Sequence, residues 1–116
     1  MSESTSSLNI GIAQKQLDAY NAQDVEAMMA FYAPDCVVAA PDGSIIERSR
    51  AEIHARYTKA FTAFPQNKAN LRNRIAVGGT VVDHEHVVRA PGGEEFEIIT
   101  IYSFKDGLIS RVDFAK

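Results

Sequence analysis

The stretch Phe64-Pro65-Gln66-Asn67-Lys68-Ala69-Asn70-Leu71-Arg72-Asn73-Arg74-Ile75-Ala76-Val77 is where the hydrophobic period of this chain changes. Before Pro65, apolar side chains recur every three or four residues, the spacing of one helix face. From Lys68 they alternate every second residue, the spacing of a strand with one buried face. The alternation predicts Ala69, Leu71, Asn73, Ile75 and Val77 on the buried side, with Arg72 and Arg74 on the wet side. Pro65 marks the boundary, because proline cannot continue a helix.

Upstream, Ser49-Arg50-Ala51-Glu52 reads as a capping box, in which Ser and Glu satisfy free N–H groups at a helix start. That helix presents Ile53, Tyr57, Ala60, Phe61 and Phe64 on one side. Before it, 36–40 reads as a small apolar strand, Pro41-Asp42-Gly43-Ser44 as a turn and Ile45-Ile46 as a short return strand. Two helices precede these. The first carries Ile10, Ala13, Leu17 and Tyr20, with Ser6 or Ser7 able to cap it. Asn21-Ala22-Gln23 interrupts the pattern. Asp24 then caps a second helix whose stripe is Val25, Met28, Met29 and Tyr32, stopped by Pro34. Downstream, Gly78-Gly79, Pro91-Gly92-Gly93 and Lys105-Asp106-Gly107 separate strands at 80–89, 95–104 and 108–114. Turns this short join antiparallel neighbours. Helices gathered first and strands gathered last mean α+β. The expected organisation is a mobile tail at 1–7 and one domain at 8–116.

The chain has 116 residues, 46% of them apolar and 23% charged, enough for a real core. The net charge is −3 and the basic residues are scattered, so a nucleic-acid partner is not expected. The start of the chain lacks a signal-peptide core and no apolar run approaches a membrane span, so a cytoplasmic location and no membrane partner are expected. Cys36 is the single cysteine, placed in an apolar strand, where a thiol acts as a small hydrophobe.

The segments Leu17-Asp18-Ala19-Tyr20-Asn21-Ala22-Gln23-Asp24 and Phe104-Lys105-Asp106-Gly107-Leu108-Ile109, in this order of elements, resemble the nuclear transport factor 2-like superfamily and its SnoaL-like and ketosteroid isomerase-like domains. The resemblance implies a cone: a curved antiparallel sheet packed on three N-terminal helices, with a pocket inside. Ketosteroid isomerases use a carboxylate base and an oxyanion hole of a Tyr and a protonated Asp. The resemblance puts those positions at Ala40, near Gln16 and near Thr100, so that mechanism is not expected here. Tyr32 and Tyr57 match pocket-lining aromatic positions. Limonene epoxide hydrolase-like relatives use Asp-Arg-Asp, partly echoed by Arg111 and Asp113.

The densest polar cluster is Asp83, His84, Glu85 and His86. On a strand the acids share one face and the histidines the other. A two-residue Gly92-Gly93 turn pairs Asp83 with Tyr102, Glu85 with Thr100 and Val87 with Ile98, putting the acids on the pocket side. A three-residue loop puts the histidines there. The first is favoured because it pairs Val87 with Ile98. The acids then read as proton donors or acceptors in a dry cavity, against a solvated strand as the plainer alternative. His-x-His lacks a visible third ligand, so neither metal nor cofactor is expected.

Asp83, Glu85, Arg111 and Asp113 are therefore the catalytic candidates, and Tyr32, Ala40, Tyr57, Thr100 and Tyr102 the ligand-binding ones. The expected function is binding of a small apolar organic molecule, with isomerase, cyclase or hydrolase chemistry by acid–base groups. The alternative is a non-catalytic ligand-binding or assembly module. The outer sheet face, with Val82, Val88, Ile99 and Ile101, predicts a homodimer.

Overall fold

The computed structural model describes residues 4–116. Its elements are α1 (Thr5–Asn21), α2 (Val25–Met29), β1 (Tyr32–Ala39), β2 (Ile45–Glu47), α3 (Arg50–Ala63), β3 (Lys68–Val77), β4 (Thr80–Val88), β5 (Glu95–Lys105) and β6 (Leu108–Ala115). The six strands form one curved sheet in the order β2-β1-β6-β5-β4-β3, antiparallel at every pair except β1 with β6. The α+β class expected from the order of elements, and the cone that the resemblance implies, are the observed fold, with the parallel β1–β6 pair the one departure from an antiparallel sheet.

Local chemistry explains most boundaries. Ser4, rather than Ser6 or Ser7, caps α1 by accepting from Ser7 N–H. Residues 5–7 of the expected tail are thus the first helical turn, and its residues 1–3 lie outside the described residues. Ser49 Oγ accepts from Glu52 N–H, while Glu52 Oε1 reaches back one residue further than a standard capping box, to Arg48 N–H. Inside α3, Ile53 is fully buried, worth about 1.5–3 kcal/mol. Helix α2 is shorter than expected: Tyr32 opens β1 instead of closing the helix. Pro34 lies where the β1–β6 ladder is irregular, a place that needs no N–H donor.

The interruption at Asn21-Ala22-Gln23-Asp24 has a structural task at each end. The Asn21 side-chain amide donates to Ala69 C=O and accepts from Ala69 N–H, which pins the start of β3 to the end of α1. Gln23 takes a left-handed φ of 57°, turning the chain, and Asp24 caps α2 through Ala27 N–H.

Two strand registers depart from expectation. The loop between Arg89 and Glu94 has four residues, with Arg89 N–H bonded to Glu94 C=O. Asp83 therefore faces Thr100, Glu85 faces Ile98 and Val87 faces Phe96, each two residues away from the expected partner. A shift of two keeps every side chain on its face, so the acids still point inward. In β3 the ladder is broken between Leu71 and Asn73. This irregularity reverses the inside–outside phase. Ala69 and Leu71 face inward before it; Arg74 and Ala76 do so after it. Ile75 and Val77, expected inside, are 65% and 77% exposed on the outer face.

The helices cover the concave face of the sheet. One buried cluster joins Met28, Tyr32, Cys36, Ile53, Val81, Ile109 and Val112, and a smaller one joins Leu17, Ala69 and Val87. Tyr20 packs against both. Burial pushes the Cys36 thiol up to about 12, keeping it an unreactive hydrophobe.

Candidate functional site

Between the two clusters is a cavity of about 310 Å³. Helix α1 contributes Gln16, Leu17 and Tyr20 to its wall, and α3 contributes Arg56, Tyr57, Ala60 and Phe61. The sheet supplies Tyr32, Glu85, Val87, Ile98, Thr100, Tyr102, Val112 and Phe114. Helical spacing explains the first two sets: positions 13, 16, 17 and 20, then 53, 56, 57, 60 and 61, each share one face. All five residues expected to meet a ligand (Tyr32, Ala40, Tyr57, Thr100 and Tyr102) line this cavity.

Gln16 organises two of the tyrosines. Its Nε2 donates to the Tyr32 hydroxyl at 3.1 Å, and its Oε1 accepts from the Tyr102 hydroxyl at 3.0 Å. Tyr102 thereby commits its proton, while Tyr32, accepting from Gln16, keeps its own for another acceptor. The Tyr20 hydroxyl accepts from Asn67 Nδ2 at 2.6 Å. Burial is the main reason all three phenols are pushed up, Tyr20 to about 12. They remain neutral hydrogen-bonding groups at ordinary pH. Tyr57 stacks edge-on to Tyr20 with ring centroids 5.8 Å apart.

Glu85 is the acid that reaches the cavity. It is 6% exposed and accepts from Thr100 Oγ1 at 2.9 Å, its diagonal neighbour across β5. Burial raises its carboxyl to about 7; the Thr100 hydrogen bond lowers it, the Asp83 charge raises it, and Arg74 lowers it. Near neutrality both protonation states are populated, which suits a group that must give and take a proton.

Asp83 has a different environment. It is fully buried and absent from the cavity wall, and Arg74 grips it with two bonds, Nε–Oδ1 at 2.6 Å and Nη2–Oδ2 at 2.9 Å. Arg74 Nη1 also donates to Gln14 Oε1. The break in β3 brings this guanidinium inward, and simple alternation had placed it in water. Asp83 is thus a buried charge neutralised by a bidentate partner, holding β3 to β4 beneath Glu85.

Arg111 and Asp113, expected as a catalytic pair, bind each other at 3.0 Å but on the outer face of the sheet. Val112 and Phe114 between and beyond them line the cavity, so the period of two turns the pair away from it. The histidines are likewise outward, His84 facing Glu97 at 2.7 Å and His86 facing Glu95 at 2.9 Å.

The wall also holds polar side chains outside the expected set, among them Gln16, Arg56, Asn67, Arg89 and Lys116. Gln16 and Arg56 both stand at core spacing on otherwise apolar helix faces, three residues after Ala13 and Ile53. A polar side chain at such a position is the signal that could have found them. Arg56 Nε donates to the buried Glu47 Oε1 at 2.6 Å, and its guanidinium lies 4.4 Å over the Tyr57 ring.

A family model, the SnoaL-like domain, matches residues 13–112. No curated protein matches the chain significantly. Among solved structures, the chain is similar to an uncharacterized cystatin-fold protein from Novosphingobium aromaticivorans, at 32% identity over 93% of this chain and 97% of that one, with a TM-score of 0.87. A proposed polyketide cyclase from Sinorhizobium meliloti is 24% identical over 90% and 93% of the two chains, with a TM-score of 0.77. A SnoaL-like protein of unknown function from Burkholderia thailandensis is 16% identical over 97% of each, with a TM-score of 0.81. The last two show the shared fold alone. The chain belongs to the SnoaL-like domain family.

Proposed function

We propose that this protein binds a small, largely apolar organic molecule in the cone and moves a proton on it without metal or cofactor, as an isomerase, cyclase or hydrolase would. The observation that carries this reading is Glu85: a carboxyl raised to about 7, 6% exposed, on the wall of a cavity lined mainly by apolar and aromatic side chains. Glu85 is the acid–base group, held by Thr100. Tyr32, its hydroxyl fed by Gln16, has a proton to offer an oxygen that gains charge during the reaction. Asp83 and Arg74 support β4 behind Glu85. Ala40 offers only a methyl group to the wall, so the base is not where ketosteroid isomerases have theirs.

The proposed state is a cytoplasmic homodimer. Ile75, Val82 and Ile101 are register neighbours on the outer face, and Val77 lies beyond Ile75, which makes an apolar surface suited to a second copy. No helix among the described residues is long and apolar enough to cross a membrane. The alternative reading, a non-catalytic module, is favoured by the internal pairing of Gln16 with Tyr32 and Tyr102, which would equally suit a static interior.

A simple cyclic ketone, 2-tetralone, distinguishes these readings. Shifts of cavity amide resonances report binding, and proton–deuterium exchange beside its carbonyl in D₂O reports proton transfer. Binding with exchange faster than buffer, lost in Glu85→Gln, supports the enzyme. Binding without exchange supports the module, and no binding overturns the small-molecule reading.

A further inference from the structure

We infer that the cavity ligand carries an anionic oxygen group, such as a carboxylate or a stabilised enolate, and that Arg56 receives it. The inference rests on the ligand-binding reading above and names the chemical class of that ligand. Arg56 Nη2 is buried and has no hydrogen-bond partner among the described residues, on a side chain that is otherwise 35% exposed and whose neighbouring Nε is engaged by Glu47. A buried charged donor left without an acceptor is costly, and buried donors are rarely left so. Glu47 takes Nε with one oxygen from behind the wall, and the Tyr57 ring covers one guanidinium face. The remaining N–H edge belongs to a residue of the cavity wall, and a planar guanidinium edge matches a carboxylate by two parallel bonds. Tyr32, on the same wall with a free hydroxyl proton, adds a neutral donor.

The charge of the wall points the same way. Among the described residues, three cationic side chains line the cavity (Arg56, Arg89 and Lys116) against one acid, Glu85, while Glu47 and Glu94 pair with Arg56 and Arg89 from outside the wall. Arg89 donates to Asn67 Oδ1 at 3.0 Å and lies 4.9 Å from the Phe96 ring, and Lys116 Nζ lies 4.2 Å from the same ring. A wall of aromatic rings with cations beside them suits an apolar body carrying negative charge. A neutral ligand would leave the Arg56 edge poorly matched, and a cationic one would be repelled.

The test compares 2-naphthoate with its neutral isostere 2-naphthamide, by calorimetry and by shifts of cavity amide resonances. The acid should bind about tenfold tighter or better, the ratio expected of charge-assisted hydrogen bonds. Because Arg56→Gln alone strands the Glu47 carboxylate, the informative variant is Arg56→Gln with Glu47→Gln, which removes both charges together and is checked for a folded amide spectrum before binding is measured. That variant should bring the ratio close to one, and Arg89→Gln should leave most of it. Equal binding of the two probes by the wild type overturns the anion inference while the cavity reading stands. So does a preference that survives the double variant or vanishes only in Arg89→Gln. If neither probe binds the folded wild type, both the inference and the ligand-binding reading fall.

Discussion

Replacing Glu85 by Gln isolates the property on which the proposed chemistry depends. The Glu85 carboxyl is raised from 4.5 to about 7 because the folded chain buries it. A group whose folded value exceeds its unfolded value stabilises the fold while protonated. That stabilisation is complete below pH 4.5 and is lost as pH rises through about 7. The displacement corresponds to about 3 kcal/mol of stability lost between those limits, at about 1.4 kcal/mol per pH unit where the slope is steepest. Facing Glu85 are Asp83 on its own strand, Arg74 on β3, Tyr102 on β5 and Tyr20 on α1. All four persist in the variant. Urea unfolding of wild type and Glu85→Gln from pH 4.5 to 8.5 therefore gives a difference curve in which the three histidines and other shared groups cancel. The two proteins should be closest near pH 4.5, and the variant should gain on the wild type as pH rises, levelling off above 7. A flat difference curve would refute the dry environment assigned to Glu85, and with it the basis for acid–base chemistry there.

Arg74→Met should destabilise by about 3–5 kcal/mol, since it strands the fully buried Asp83 charge. Adding Asp83→Asn should recover much of this in urea unfolding, and a single variant as stable as wild type would show the pair to be unimportant. Tyr57→Phe should weaken ligand binding by about 0.5–1.5 kcal/mol if its hydroxyl makes one bond to the ligand, with little change in melting temperature; unchanged affinity by calorimetry counts against that contact. Light scattering at micromolar concentration should give the mass of a dimer, and Ile75→Glu with Val82→Glu should give that of a monomer. A monomeric wild type would remove the outer face as an interface.

The chain declares its local structure in short signals. Pro65 and the switch of period beside it separate helix from sheet, and Ser49 with Glu52 starts α3, because a cap or a proline acts within one turn. The inward face of β4 was legible too. Its side chains alternate with period two, so even a register error of two residues left Glu85 and Asp83 on the correct side. What the alternation could not reveal was the break between Leu71 and Asn73. Such a bulge is chosen by pairing with β4, not by β3's own residues, and it sends Arg74 inward and Ile75 outward. That choice divided two acids that look equivalent in sequence: Asp83 became a neutralised structural charge and Glu85 a protonatable wall group. The tertiary structure likewise decided that Arg111 and Asp113 face away, and that Gln16 and Arg56, on helices distant in sequence from Glu85, share its cavity. Caps, turns and periods are properties of neighbours along the chain. The charge and proton affinity of a buried side chain depend on what packs around it, and only the folded sheet and helices determine that.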